Sequence, residues 1–248
     1  MKKLILIVLY ILSYYSYAEV NTKVYNNYIV LYIPEIAPYS KLIKQQDIYT
    51  TINYMDAMRF VDGKVVIKSN SDGLMIFSEI EQYKTIQFYD YVKGLFIWNI
   101  NNKPFTQIKL TLNKDENIIE SSSLNSFNFH YRYNYDELKR LVMSMGEGMT
   151  TKAKIEFFYT NNNLLKSIYY KTNVSTRPNN RKIDFIYDDD NKLKETIQTH
   201  YSDENNSKID KTITCSFSDY NEYGDWTKGH CIKDGNIDLG AITRKLEY

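Results

Sequence analysis

Tyr187-Asp188-Asp189-Asp190-Asn191-Lys192-Leu193 is one of three copies of a seven-residue pattern from which the fold can be predicted. The pattern opens with Tyr, passes through three loop-type residues to an Asn or Gly, and ends after one spacer on a large apolar residue. The other copies are Tyr159–Leu165 and Tyr220–Trp226. Asn and Gly tolerate positive φ, which the last residue of a three-residue hairpin loop requires. Each copy therefore predicts the tip of a β-hairpin, with positive φ at its fifth position.

The similarity between copies extends into the flanking segments. Ile155–Tyr159 aligns with Ile183–Tyr187, and Leu165-Lys166-Ser167 aligns with Leu193-Lys194-Glu195. The spacing between the opening Tyr residues fits one hairpin and one return loop per unit. The carboxyl-terminal half is thus predicted to be a series of hairpins.

The copies Tyr187–Leu193 and Tyr220–Thr227 resemble the tyrosine-aspartate (YD) repeats of RHS-type and related exported bacterial proteins. The resemblance covers residues about 155–235. It implies a strand-turn-strand architecture, and proteins of that group typically act as shells, surface scaffolds or partner-binding modules. The resemblance therefore favours binding over catalysis.

Strand signals continue through the amino-terminal half of the chain. Tight turns are indicated at Asp62-Gly63, Asn70–Gly73 and Asp115-Glu116-Asn117. Residues 127–133 alternate between apolar and polar, which is typical of a strand with one apolar face. We predict a mainly β fold: an antiparallel meander of successive hairpins, forming an open twisted sheet, a partly closed barrel or a sandwich, with one or two short helices.

A helix is predicted over residues 134–150, where the strand pattern breaks. Asn134 is a suitable N-cap, the apolar residues from Leu138 to Met145 fall on one stripe, and Gly146 ends the pattern. A second, shorter helix is predicted over Ser40–Gln46.

The first residues of the chain predict export. Met1-Lys2-Lys3, the apolar run Leu4–Leu12 and Ser16-Tyr17-Ala18 match the three regions of a secretory signal peptide. We predict a leader over residues 1–18, cleaved after Ala18, and a mature protein that is periplasmic or secreted. The apolar run is shorter than the roughly 20 residues that cross a bilayer, so no integral membrane segment is expected after cleavage. An uncleaved signal anchor is the alternative.

The rest of the chain is predicted to be one domain. Residues 19–248 form a single mainly β domain with a degenerate amino-terminal half (19–133), the helical insertion (134–150) and the hairpin-repeat region (151–248). The full chain has 31 basic and 30 acidic residues, and the leader removes two of the basic ones. Such a balance lacks the basic excess of nucleic-acid-binding proteins, so no nucleic acid is expected as a partner.

The two cysteines of the chain are predicted to form a disulfide. A loop of Glu222-Tyr223-Gly224 pairs Asn221 with Asp225, and counting back along both strands sets Cys215 opposite Cys231. Directly opposed residues lie close enough for a bridge, and exported proteins meet an oxidising environment. Two free thiols, or one catalytic thiol, are the alternative.

Motifs for catalysis and metal binding are missing from the sequence. His130, His200 and His230 lack the spacing of metal ligands, and Asp188–Asn191 lacks the glycine and the distal glutamate of a calcium loop. No nucleophile elbow, phosphate-binding loop or Cys-x-x-Cys pair occurs. We predict no enzyme activity, metal or cofactor. The alternative is a hydrolase built from separate strands, in which Glu147 joins one of the histidines.

Aromatic residues carry the remaining functional signal. The chain has 24 Tyr residues, and Tyr is favoured both in recognition surfaces and in strands. Five aromatic residues near turns or strand ends are candidate binding residues: Tyr169, Tyr170, Tyr201, Tyr223 and Trp226. The leading hypothesis is an exported, non-enzymatic interaction protein that binds a protein partner through a sheet face or edge, as an immunity-type or envelope scaffold protein would. The alternative is a module that stacks these rings on glycan or peptidoglycan.

Overall fold

The computed structural model describes residues 21–31, 33–52, 62–124, 129–148, 151–174, 177–178, 180–203 and 206–248. The leader predicted over residues 1–18 lies outside these ranges. One helix, α1, covers Thr22–Leu31, and a 3-10 turn follows over Pro34–Ile36. Within the described ranges, no helix is both long enough and apolar enough to cross a membrane.

The described residues form 17 β-strands. In chain order they are β1 Gln45–Thr50, β2 Gly63–Ser69, β3 Met75–Ile80, β4 Thr85–Asp90, β5 Leu95–Ile100, β6 Lys103–Leu112, β7 Ile118–Ser123, β8 His130–Tyr135, β9 Leu141–Glu147, β10 Thr151–Tyr159, β11 Leu165–Val174, β12 Arg177–Pro178, β13 Asn180–Tyr187, β14 Leu193–Tyr201, β15 Ile209–Tyr220, β16 Trp226–Lys233 and β17 Ile237–Glu247. All of the pairings are antiparallel, and β12 is a two-residue segment paired with the end of β11.

These strands form one sheet that closes into a barrel of sixteen long strands. Each long strand pairs with the next along the chain, and β1 completes the circle by pairing with both β2 and β17. The predicted mainly β meander of hairpins is confirmed, and its sheet is a closed barrel. Closure joins the first described strand to the last, so the long strands offer no free edge for the predicted binding at a sheet edge.

The seven-residue pattern marks one type of turn that recurs at six hairpins. In each, the first loop residue donates its N–H to the carbonyl four residues later and accepts the N–H of the residue three positions later. Its side-chain oxygen also accepts the N–H four residues later. The residue before the last has positive φ: Gly73, Glu116, Lys139, Asn163, Asn191 and Gly224. The predicted hairpin tips of the three repeat copies are confirmed.

The helix predicted over residues 134–150 is wrong. β8 continues to Tyr135, a turn of the recurring type spans Asp136–Arg140, and β9 follows directly. Asp136 accepts hydrogen bonds from the backbone N–H and the guanidinium of Arg140, at 2.9 and 2.8 Å, so it closes a turn where we expected a helix. The segment is therefore a hairpin of the barrel and not an insertion. The helix predicted over Ser40–Gln46 is also wrong, because β1 begins at Gln45.

In five hairpins, four with the recurring turn and one with Tyr91 in the turn between β4 and β5, a Tyr ties the hairpin to the preceding one at the same end of the barrel. Its hydroxyl donates, over 2.7–2.9 Å, to the carbonyl of the first strand residue after the preceding turn. The pairs are Tyr91 with Met75, Tyr135 with Ile118, Tyr159 with Leu141, Tyr187 with Leu165 and Tyr220 with Leu193. The repeated Tyr therefore has a structural role on the inner side of the barrel, because a buried backbone carbonyl needs a hydrogen-bond donor.

The core inside the barrel is mainly apolar, and ion pairs lie on the outer face. In this core, Ile67, Ile168 and Ile183 are fully buried. Ion pairs lie on the outer face within or between neighbouring strands: Lys64 with Asp47, Lys154 with Glu156 and Lys182 with Asp184, at 2.7–3.0 Å. Because side chains alternate along a strand, this inner and outer division follows directly from the sequence of each strand.

Candidate functional site

Helix α1 lies inside one end of the barrel and is held there by two asparagines. The amide of Asn26 donates to the carbonyl of Lys139 at 2.7 Å, and its oxygen accepts the N–H of Leu141 at 3.1 Å. The amide of Asn27 donates to the Tyr91 hydroxyl at 2.5 Å, and its oxygen accepts the N–H of Met75 at 3.0 Å. The helix thus satisfies polar groups on separate hairpins at the end where the recurring turns lie.

Arg244 on β17 anchors the segment that follows α1. Its buried guanidinium donates to the carbonyls of Ile36 and Trp226, at 3.1 and 3.2 Å, and to Oε1 of Gln46 at 2.8 Å. The indole N–H of Trp226 donates to the carbonyl of Glu35 at 2.8 Å. Trp226 is 3 % exposed, so its ring is not available to a sugar, in contrast to the binding role that we expected.

Asp225 in the third repeat turn fixes the next part of this segment. Its carboxylate accepts the N–H of Tyr39 at 2.9 Å and the hydroxyl of Tyr248 at 2.7 Å. Burial raises the pKa of Asp225, and the positive charge of Arg244 opposes that rise. The neighbouring Gly224 has no room for a side chain, because an added Cβ would lie 2.5 Å from the ring of Tyr39.

Cys215 and Cys231 form a disulfide, as predicted. They are directly paired in the register of β15 and β16, which also sets Tyr220 opposite Trp226. Both cysteines are buried on the inner face, so the bridge joins two strands of the barrel core. This bridge leaves no free thiol among the cysteines of the chain.

A cavity of about 240 Å³ lies inside the barrel beside the last residues of α1. Most of its walls are apolar, and they come from Ile29–Leu31 and from inward-facing side chains of β5 to β10, including Phe96, Leu110, Ile155 and Phe157. Among the described residues that line it, none carries a charge. The walls therefore suit an apolar molecule.

Four hydroxyl groups interrupt these apolar walls. Those of Ser121 and Tyr133 are hydrogen-bonded to each other at 3.0 Å. Ser144 lies between Tyr133 and Ile155 in the strand register and is 3 % exposed. Its Oγ has no hydrogen-bond partner within the described ranges. The fourth hydroxyl is that of Tyr131.

Tyr131 depends on Gly146, its direct partner across β8 and β9. A Cβ at Gly146 would lie 2.1 Å from the Tyr131 ring, so only glycine leaves room for this ring at the wall of the cavity. Gly146 was expected to end a helix. Its position on the inner face instead shapes the cavity.

The histidines and Glu147 do not assemble into a catalytic group. His130 and Glu147 are opposite each other in register, but both lie on the outer face, where His130 pairs with Glu120 and Glu147 with Lys152. His230 bonds Asp238, and His200 bonds Gln198. None of these residues lines the cavity. Within the described ranges, no group of His, Cys, Asp and Glu is arranged to hold a metal ion.

The remaining aromatic candidates are dispersed over the barrel. Tyr169 packs on Phe158 on the outer face, with ring centroids 5.6 Å apart, whereas Tyr170 faces inward with the guanidinium of Arg181 4.0 Å from its ring. Tyr201 ends β14. Tyr223 lies on the third repeat turn against Tyr248. Their roles in binding stay predictions, and they do not form one shared patch with the buried Trp226.

The fold of the chain has a counterpart among solved structures. The chain is similar to a porin-like protein from Bacteroides uniformis, with 12% identity, a TM-score of 0.52 and coverage of 84% of this chain and 98% of that chain. A porin-like protein from Bacteroides vulgatus gives 9% identity, a TM-score of 0.43 and coverage of 83% and 98%. No family model and no curated protein sequence matches the chain.

The expected resemblance to RHS-type tyrosine-aspartate repeats is wrong. The hairpins of the chain close into a barrel, a fold similar to that of the porin-like protein from Bacteroides uniformis, and the repeated Tyr serves as a tie between barrel hairpins. At 12% identity, the likeness to the Bacteroides uniformis protein concerns the fold alone. The chain thus has a porin-like barrel fold.

Proposed function

We propose that the chain is an exported, non-enzymatic barrel protein that binds a small apolar molecule in its interior. The observation that carries this proposal is the cavity of about 240 Å³ beside α1, with its apolar walls. An apolar cavity of about 150 Å³ in another protein is large enough to bind benzene. A molecule of one or two rings, or a short alkyl chain, would make dispersion contacts with these walls. Water molecules in the same space would not make equivalent contacts.

In this proposal the barrel works in the aqueous part of the cell envelope. A transmembrane barrel carries an apolar band on its outer face and a polar lumen, and a Lys or Arg facing the bilayer midplane costs about 2–4 kcal/mol. Here Lys154, Glu156, Lys182 and Asp184 lie on the outer face, whereas the core is apolar. The helix in one end also occupies space that a channel would need. An envelope location agrees with the predicted leader and is compatible with the porin-like fold.

Titration with N-phenyl-1-naphthylamine, an uncharged dye that fluoresces in apolar surroundings, tests the proposal. We expect saturable binding of one dye per chain. In Ile155→Trp, the indole should fill part of the cavity and weaken binding by about tenfold or more, equivalent to about 1.4 kcal/mol.

Ile186→Trp is the matched control, because Ile186 is 38 % exposed on the outer face. This variant should bind the dye as the wild type does. Equal dye affinity in Ile155→Trp and the wild type, with the fold intact by circular dichroism, would rule out the cavity as the binding site.

A protein partner on the outer face is a second proposal, and one surface feature favours it. Phe77, Phe88 and Ile97 are neighbours across β3, β4 and β5, and Phe88 is 44 % exposed. Such apolar side chains on a charged surface are typical of contact sites. A pull-down from periplasmic extract that recovers the same proteins with the wild type and Phe88→Ser would count against it. The proposal that Tyr169, Tyr201 or Tyr223 binds glycan has no comparable support.

A further inference from the structure

We infer that the cavity selects an uncharged ligand whose apolar body carries one hydroxyl or carbonyl group, and that Ser144 binds this group. The inference rests on the proposed function and names the ligand class of the same site. It is carried by Ser144, the polar side chain of the cavity wall that is both buried and without a partner in the described ranges.

The neighbouring side chains that the structure describes do not hydrogen-bond the hydroxyl of Ser144, so this group can bind a ligand. The two neighbours of Ser144 in register are Tyr133, whose hydroxyl is hydrogen-bonded to Ser121, and Ile155, which has no polar side-chain atom. Buried hydroxyl groups are almost always hydrogen-bonded in folded proteins. A ligand with a hydroxyl or carbonyl group at this position would supply the missing partner, because a serine hydroxyl both donates and accepts.

The walls also indicate that the ligand is uncharged. A carboxylate, phosphate or ammonium group in the cavity would be removed from water without an opposite charge, since none of the described lining residues is charged. Hydroxyl groups of Ser and Tyr do not compensate for that loss. Fatty acids and phosphorylated molecules are therefore expected to bind poorly.

Calorimetric titration near neutral pH with three compounds of similar size separates the effect of a hydroxyl group on affinity from the effect of a charge. The compounds are naphthalene, 2-naphthol and 2-naphthoate. We expect 2-naphthol to bind about tenfold more tightly than naphthalene, because one hydrogen bond is added. We expect 2-naphthoate to bind at least about tenfold more weakly than 2-naphthol, because its charge is buried unpaired.

Variants of Ser144 assign the preference to its hydroxyl. Ser144→Ala should abolish the difference between 2-naphthol and naphthalene. Ser144→Thr keeps a hydroxyl and should keep the preference. Ser216→Ala, at an exposed position opposite His230, is the control and should behave as the wild type.

The outcomes distinguish this inference from the proposed function. If naphthalene and 2-naphthol bind the wild type equally, or if Ser144→Ala retains the preference, the ligand class is wrong while binding in the cavity stands. Tighter binding of 2-naphthoate would also overturn the ligand class. If none of the three compounds binds, the proposed function itself fails.

Discussion

Replacing Arg244 by alanine is expected to lower the free energy of unfolding by about 4 kcal/mol, as removal of one partner from a buried charged network typically does. The guanidinium serves three acceptors, the carbonyls of Ile36 and Trp226 and the side chain of Gln46. It also lies 4.3 Å from the centre of the Trp226 ring. The variant would remove one donor from each of these acceptors, although the Ile36 carbonyl keeps the amide of Gln46, and it would open a void beside the indole. Urea unfolding followed by tryptophan fluorescence measures the loss.

Two further variants show whether the loss of unfolding free energy comes from the hydrogen-bond donors of the buried Arg244 guanidinium. Arg132→Ala removes an arginine whose side chain is 68% exposed, and it should change stability by less than about 0.5 kcal/mol. Arg244→Lys keeps the charge but lacks the planar fork, so it should recover only part of the loss. A cost below about 1 kcal/mol for Arg244→Ala would show that this residue does not anchor the segment after α1.

Removing the disulfide is expected to lower the free energy of unfolding by about 3 kcal/mol, the chain-entropy estimate for a loop of this length. For a domain of this size that loss corresponds to a decrease of about 6–12 °C in the melting temperature. The double variant Cys215→Ala/Cys231→Ala is the suitable form, because both residues are buried and serine would place new hydroxyl groups in the core.

Thermal unfolding with and without dithiothreitol provides the control. The reductant should lower the melting temperature of the wild type towards that of the double variant, and it should not affect the double variant. If the double variant melts within about 1 °C of the wild type, the bridge contributes little to the stability of the barrel.

The hairpins and their register were predictable because the information is local. Asn163, Asn191 and Gly224 have the positive φ that their residue types favour, and the short loop before Asp225 sets the pairing of Cys215 with Cys231. Lys139 also has positive φ, but lysine gives no such signal. For this reason the hairpin around Asp136–Arg140 was assigned as a helix.

The closure of the barrel was not predictable because its contacts are distant in sequence. β1 pairs with β17, so that Gln45 faces Glu247 at the other end of the chain. No local pattern reports such a pairing. The same reason explains the misassignment of Trp226, since its contacts with Glu35 and Arg244 come from other parts of the chain.

Only some features of the cavity could be predicted from the sequence. The inner position of Ser144 follows from strand alternation once β9 is recognised, but its lack of a partner depends on β8 and β10. Gly146 carried a usable signal, because a glycine inside a strand often marks a close approach of another group. Here that group is the ring of Tyr131.

The proposed function requires that water, and not lipid, surrounds the barrel. Flotation of the chain from Glu19 onward, mixed without detergent with vesicles of phosphatidylethanolamine and phosphatidylglycerol, tests this requirement. We expect the protein to stay in the dense fractions, folded and free of lipid, because charged pairs such as Lys154 with Glu156 and Lys182 with Asp184 lie on the outer face. Flotation of folded protein with the vesicles, resistant to high salt and to alkaline washing, would show instead that lipid surrounds the barrel.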